Sequence, residues 1–179
     1  MKKLLILPAL ILAIGCSTSS DYEDVWTKYS DWNKQNQAWL AQQEELLDTD
    51  GQPFYTKVTA PWDQTAYVLM HFYNDRQLTA DNLVPLYTST FSVKYIGYLC
   101  NGNVFDSSFG QTDSLFTSTA ASVIPGWAIA LANMHVGDSC DVVIPYEEAY
   151  YLNGYGSILP FSNLRFSMKL VDIPLYEIN

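Results

Sequence analysis

The stretch Val123-Ile124-Pro125-Gly126-Trp127, running on into Ala128-Ile129-Ala130-Leu131-Ala132-Asn133-Met134, constrains this chain more than any other. Pro125 suits the first turn of a helix, where its missing N–H leaves nothing unpaired. Gly126 permits close backbone approach, and Trp127 is too large and apolar to stand idle in water. Ile124, Trp127, Leu131 and Met134 recur at helical spacing, which predicts a short, wholly buried helix with Trp127 near its N-terminal end. A Trp in that place forms either plain core or the floor of an apolar pocket walled by other parts of the chain.

The 179 residues allow one domain plus an extension. A hydrophobic content of 49% against 16% charged residues predicts a packed core. The formal net charge of -10, with no Lys/Arg cluster to offset it, argues against nucleic acid as a partner. At the N-terminus, Lys2 and Lys3 precede an apolar run, Leu4 to Ile14, too short to span a bilayer. Leu12-Ala13-Ile14-Gly15-Cys16 then resembles the bacterial lipobox, so residues 1–15 read as a lipoprotein signal peptide and Cys16 as the lipidation site. Residues 16–24 form a polar tether. Ser17 after the cysteine favours the outer membrane, and the acidic Asp21, Glu23 and Asp24 are either a surface-export signal or a plain solvated tether. Lipidation leaves Cys100 and Cys140 in an oxidising compartment, where two free thiols are the preferred reading over a disulfide.

Residues 25–64 read as a helical extension and linker. Val25, Trp26, Tyr29, Trp32, Trp39, Leu40 and Leu47 fall on one face of an amphipathic helix, ended by the turn Asp48-Thr49-Asp50-Gly51. That face packs on the following domain or on a second copy, the latter giving a homodimer. A weak alternation follows in Pro53 to Thr59. Strands are expected over Tyr67–Tyr73, Thr88–Leu99, Val104–Ser108, Ser139–Ile144 and Asn163–Ile173, with a turn at Asn101-Gly102 and a long Tyr/Gly loop from Tyr146 to Pro160. The fold class is therefore α+β: an antiparallel sheet wrapped around a short central helix, with residues 65–174 as the domain and a helical extension before it. His71 and His135 have no partners at metal-ligand spacing, so neither a metal nor another cofactor is expected.

Four segments in register resemble the FK506-binding-protein family of peptidyl-prolyl cis-trans isomerases. They are Val93-Lys94-Tyr95-Ile96-Gly97-Tyr98-Leu99; Gly102-Asn103-Val104-Phe105-Asp106-Ser107-Ser108; Val123-Ile124-Pro125-Gly126-Trp127 with Met134-His135-Val136-Gly137; and Ile144-Pro145 through Ala149-Tyr150 and Ile158-Leu159-Pro160 to Leu164-Arg165-Phe166. The resemblance implies an isomerase acting on proline-containing polypeptide clients, and the lipobox adds attachment to the membrane through the N-terminal lipid. It assigns catalytic positions to Tyr95, Phe105, Asp106, Tyr150 and Phe166. It assigns substrate-binding positions to Val123, Ile124, Trp127, Tyr155 and Ile158, with Ile158 on a flap over the pocket. Four features depart from the family pattern. Tyr151 replaces a glycine, Tyr155 takes a rim position often held by histidine, Ser114 replaces a wall aromatic with Phe116 nearby to compensate, and no acidic residue follows Trp127. These changes raise a second reading: a catalytically weak module that binds proline peptides in an envelope complex.

Overall fold

The computed structural model describes residues 24–176. The signal peptide, Cys16 and most of the tether expected from the sequence lie outside the described residues. Seven antiparallel strands form one sheet in the order β1-β2-β6-β7-β3-β4, with β5 pairing the first half of β3 on the edge that β4 shares. They are β1 (Thr56–Ala60), β2 (Asp63–Phe72), β3 (Thr90–Leu99), β4 (Val104–Ser107), β5 (Phe116–Thr119), β6 (Ser139–Ile144) and β7 (Leu164–Leu175). The strand pairing reaches N-terminal of residue 65, into the segment read above as linker, because Thr56 to Thr59 pair with Met70 to Tyr67.

Alternation sorts the two faces of the sheet. Ala66, Val68 and Met70 on β2, Cys140, Val142 and Ile144 on β6, and Leu164, Phe166, Met168 and Leu170 on β7 point into one core. Leu69 and Val143 point the other way, into a second, smaller cluster with Tyr55. The short helix α3 (Pro125–Leu131) fills the first face, and every residue from Gly126 to Leu131 is buried. Pro125 opens it, as its fixed φ and absent donor favour, and Asn133 Nδ2 closes it by donating to the Ile129 carbonyl at 2.9 Å. The helix ends at Leu131, one turn short of the predicted Met134. Met134 still reaches full burial, and the Cys140 thiol sits 3.6 Å from its sulfur. Each fully buried Ile or Leu of this helix contributes about 1.5–3 kcal/mol. Cys100 and Cys140 are both free thiols.

The other face carries the N-terminal extension. The predicted single helix is two: α1 (Val25–Lys28), capped by the Asp24 carboxylate, and α2 (Ser30–Glu44), with a break at Tyr29. The buried stripe of α2 runs through Trp32, Asn36, Trp39 and Leu40, and its only fully buried member is polar. Asn36 Oδ1 accepts the Asn163 N–H at 2.8 Å, and the Asn36 carbonyl accepts Asn163 Nδ2 at 2.7 Å. Trp32 Nε1 donates to Ser162 Oγ at 3.0 Å. Trp39 and Leu40 pack on the Tyr55, Leu69 and Val143 cluster. Trp26 and Leu47, placed by the sequence on the packing face, are half exposed or more. Leu47 lies beyond the end of α2 at Glu44 and leaves the stripe, whereas Trp26 still packs its ring on Phe161, centroids 4.6 Å apart.

One buried carboxylate ties the loop after β2 to the segment after α3. Asp138 is fully buried and accepts hydrogen bonds from Thr79 Oγ1 at 2.6 Å, Asn74 Nδ2 at 2.9 Å and the His135 N–H at 2.9 Å, with Arg76 Nε at 3.4 Å. Burial pushes its pKa up, but the donors, led by Thr79, outweigh it and hold the carboxyl below the usual range. A carboxylate of lowered pKa contributes stability that is present above its unfolded value near pH 4 and lost as pH falls through the folded value. Asp138→Asn is expected to cost about 1–3 kcal/mol at neutral pH and to flatten the fall in stability below about pH 4. Urea midpoints of both proteins between pH 3 and 7 measure this, and parallel curves would reject it.

Candidate functional site

Between the concave face of the sheet and the N-terminal end of α3 lies an open cavity of about 480 Å³. Trp127 is its floor, 4% exposed, and the rings of Tyr95, Phe116 and Phe166 meet it edge-to-face at centroid distances of 5.0, 5.8 and 5.2 Å. Such T-shaped contacts match ring edges to ring faces and hold the rings against rotation. Phe105 extends the wall, edge-on to Phe166 at 5.6 Å. Val123, Ile124, Tyr150, Tyr155 and Asp106 complete the lining assigned from sequence, and Phe116 and Ser122 join it.

Nine of the ten pocket residues named from the sequence thus line one cavity. The tenth, Ile158, lines an adjoining recess of about 300 Å³ with Phe105, Asp106, Tyr150 and Tyr155. Phe116 stands where the missing wall aromatic at Ser114 would be needed. Ser114 itself, at φ 59°, turns the chain into β5. Proximity of Phe116 to Ser114 was the signal in the sequence. Its pairing opposite Val93 on β3 is what aims it at Trp127.

The polar groups are few and placed at the edge. Tyr95 donates its hydroxyl to Asp106 Oδ2 at 2.5 Å, and Asp106 Oδ1 accepts the Ser107 N–H at 2.8 Å. Burial, then the Asp106 hydrogen bond, raises the Tyr95 pKa far above physiological pH, so the bond is phenol to carboxylate. Tyr150 is half-buried, and among the described residues its hydroxyl has no hydrogen-bond partner. Burial first, then Tyr155 and Asp106, raises its pKa, which keeps it a neutral donor. The Tyr155 ring stacks on Tyr150 at 5.2 Å and 11°, and reciprocal 2.8 Å backbone bonds between Tyr155 and Ile158 close the turn that carries it. Tyr151, in place of the glycine, adopts φ 50° all the same. Among the described residues no cluster of His, Cys, Asp and Glu is placed to hold a metal.

Gly97 makes the wall possible. A Cβ there would stand 2.7 Å from the Phe105 ring and 3.0 Å from the Phe166 ring, closer than side chains tolerate.

Residues 85–171 match the FKBP-type peptidyl-prolyl cis-trans isomerase family. The FKBP-type 22 kDa peptidyl-prolyl cis-trans isomerase of Escherichia coli is 40% identical over 94 residues, covering 52% of this chain and 45% of that protein. The FKBP-type isomerase FkpA of the same organism is 37% identical over 89 residues, 50% of this chain and 33% of its own. Among solved structures, a peptidyl-prolyl cis-trans isomerase from Pseudomonas syringae superimposes with a TM-score of 0.63 at 27% identity, covering 81% of this chain and 95% of that one. The cavity, α3 and strands β3 to β6 lie within the residues that match this family, and the sheet with its central helix has the fold of these isomerases. The chain spans less than half the length of the two Escherichia coli relatives it matches.

Gly97→Ala is expected to displace Phe105 and Phe166, raise KM for a proline peptide several-fold and cost about 1–3 kcal/mol of stability. Peptide titration with a thermal melt checks this, and an unchanged KM would show that the wall gives way elsewhere.

Proposed function

We propose that this chain is a peptidyl-prolyl cis-trans isomerase that accelerates X-Pro rotation in exported polypeptides without covalent chemistry. The observation that carries the reading is the aromatic cavity over Trp127 with the half-buried Tyr150 phenol, which has no hydrogen-bond partner among the described residues, at its rim. The planar amide is held by resonance worth a barrier of ~18–20 kcal/mol. At the twisted transition state that resonance is lost, and the bond carries less separated charge than in the planar ground state. An apolar site therefore disfavours the ground state relative to the transition state. A prolyl ring seated on Trp127 between Tyr95, Phe105 and Phe166 holds one side of the bond still. The Tyr150 hydroxyl donates to the substrate carbonyl that lies at the rim and keeps it oriented while the other side turns. Asp106, fixed by Tyr95, places a negative edge beside the wall where C–H and N–H dipoles of the substrate point. No nucleophile is required. The reading of a weak binding module is not favoured, because Phe116 closes the wall against Trp127 and Tyr151 adopts a left-handed backbone, φ 50°, that a glycine takes readily.

The N-terminal segment supports export and lipidation at Cys16, with the domain displayed from the cell envelope, the outer membrane in particular. Its support is the basic, apolar and small-residue order that ends at the cysteine. Metabolic labelling with a radioactive fatty acid in a Gram-negative host should mark the wild-type chain and leave Cys16→Ala unmarked. An unmarked wild type would overturn the anchor.

For the activity, a protease-free assay on an X-Pro peptide should show acceleration above the spontaneous rate. Tyr150→Phe should lower kcat/KM by about fivefold to tenfold, the loss of one hydrogen bond, with circular dichroism unchanged. A rate equal to the spontaneous one would sink the isomerase reading.

A further inference from the structure

A second apolar groove, of about 400 Å³, opens on the far side of Val123. Trp62, Tyr87, Ala120, Val123, Pro125 and Ala128 line it, with no charged side chain among them. Its two aromatic walls are among the most exposed large rings of the described residues: Trp62 is 59% and Tyr87 60% exposed. Both are nevertheless held on pinned turns. Trp62 is the second residue of the two-residue connection Pro61-Trp62, closed by the pairing of Ala60 with Asp63. Tyr87 lies in the turn Leu86–Ser89, where the Ser89 N–H donates to the Leu86 carbonyl at 3.0 Å and Ser89 Oγ accepts the Leu86 N–H at 3.2 Å. Two large apolar rings kept in water on rigid supports cost hydration free energy that a bound apolar group would recover. Trp and Tyr are also the side chains that most often dominate recognition, because they offer large contact area for little lost freedom.

Val123 lines both this groove and the proline cavity, so the two are neighbours across one side chain. A polypeptide advances ~3.3–3.6 Å per residue when extended, and a chain whose proline sits over Trp127 brings a nearby side chain past Val123. The volume is that of a small-ligand site, whereas a folded partner needs about 800 Å² of surface on each side.

Resting on the isomerase reading above, we propose that the Trp62–Tyr87 groove is a specificity subsite that takes an aromatic or branched aliphatic side chain of the same substrate, within three residues of the proline. Trp62 and Tyr87 are then specificity-determining residues outside the reacting pocket, and they select which prolines of an unfolded client are bound.

The test uses the full chain with peptides carrying Phe, Leu or Ser at each position within three residues of the proline, beside a minimal peptide that ends next to it. At one position Phe and Leu should exceed Ser by about tenfold in kcat/KM, through KM. Trp62→Ala and Tyr87→Ala should each erase that preference while leaving the minimal peptide within twofold. Both rings are largely exposed, so circular dichroism should be unchanged. In parallel, titration of wild-type chain with the Phe and Ser peptides is followed by the Trp62 indole N–H in NMR spectra. The Phe peptide should shift that resonance at lower concentration than the Ser peptide. A preference retained in both variants, or absent in the wild type, overturns the subsite. Should no peptide be turned over, the isomerase reading fails, and the indole titration still decides the groove: a Trp62 signal that Phe and Ser peptides move equally, or not at all, rejects it.

Discussion

The domain is built on how closely α3 lies against the sheet. A Cβ at Gly126 would overlap the Ile144 side chain on β6, so only glycine lets the helix seat at this depth. That depth sets where Trp127, the next residue, presents its indole. A helix a methyl group further out would lift Trp127 away from Tyr95, Phe116 and Phe166. The ring edges that now meet it would be left facing a gap, and voids of that kind forfeit contact on both sides. The same constraint recurs at Gly97, where the missing side chain admits Phe105 and Phe166 together. Two glycines thus convert what would be ordinary core into a cavity with rigid walls.

Against that frame, the few polar groups divide the work. Tyr95 and Asp106 satisfy each other, which fixes the wall and leaves the carboxylate partnered where it borders apolar rings. Tyr150 has no such partner and stays neutral, so its donor remains for a ligand. An apolar cavity with donors left free, among them the Tyr150 hydroxyl at the rim and the Trp127 indole N–H at the floor, suits a reaction in which nothing is broken and only a torsion changes. It would suit bond-breaking chemistry poorly, because no base or nucleophile is held near the floor.

Much of this was legible in the chain because the strands alternate cleanly and four segments fall in register. Phe91, Val93, Tyr95 and Gly97 share a face in the sequence, and all four are buried in the structure. What the sequence did not convey depends on contacts between distant turns. The groove beside Val123 needs the β1–β2 turn and the Leu86–Ser89 turn to meet α3, which no local periodicity encodes. The docking face of α2 carries Trp32, Trp39 and Leu40 as their spacing predicts, but its polar centre was not legible, for a related reason. An apolar stripe predicts an apolar seam, yet the centre of the seam is Asn36, chosen by the unpaired backbone of Asn163 opposite.

That polar seam bears on the site through the loop that carries Tyr150. Asn163, clamped by Asn36, accepts the Tyr146 N–H on its own Oδ1 at 2.8 Å, at the first residue of the loop. Trp26 packs on Phe161 at 4.6 Å, Phe161 on Tyr146 at 5.5 Å, and Tyr146 stacks on Tyr151 at 5.9 Å. The left-handed backbone of Tyr151 costs roughly 1–2 kcal/mol over a glycine, and such a conformation persists only where its surroundings over-determine it. Here the Tyr151 N–H donates to the Tyr146 carbonyl at 2.9 Å, and the Tyr151 carbonyl accepts the Phe161 N–H at 3.1 Å. The larger side chain therefore repays part of its strain by extending the aromatic ladder toward the N-terminal helices. Those helices and the departure from glycine form one arrangement: the extension braces, from the outer face, the base of the loop whose phenol points into the cavity from the inner one.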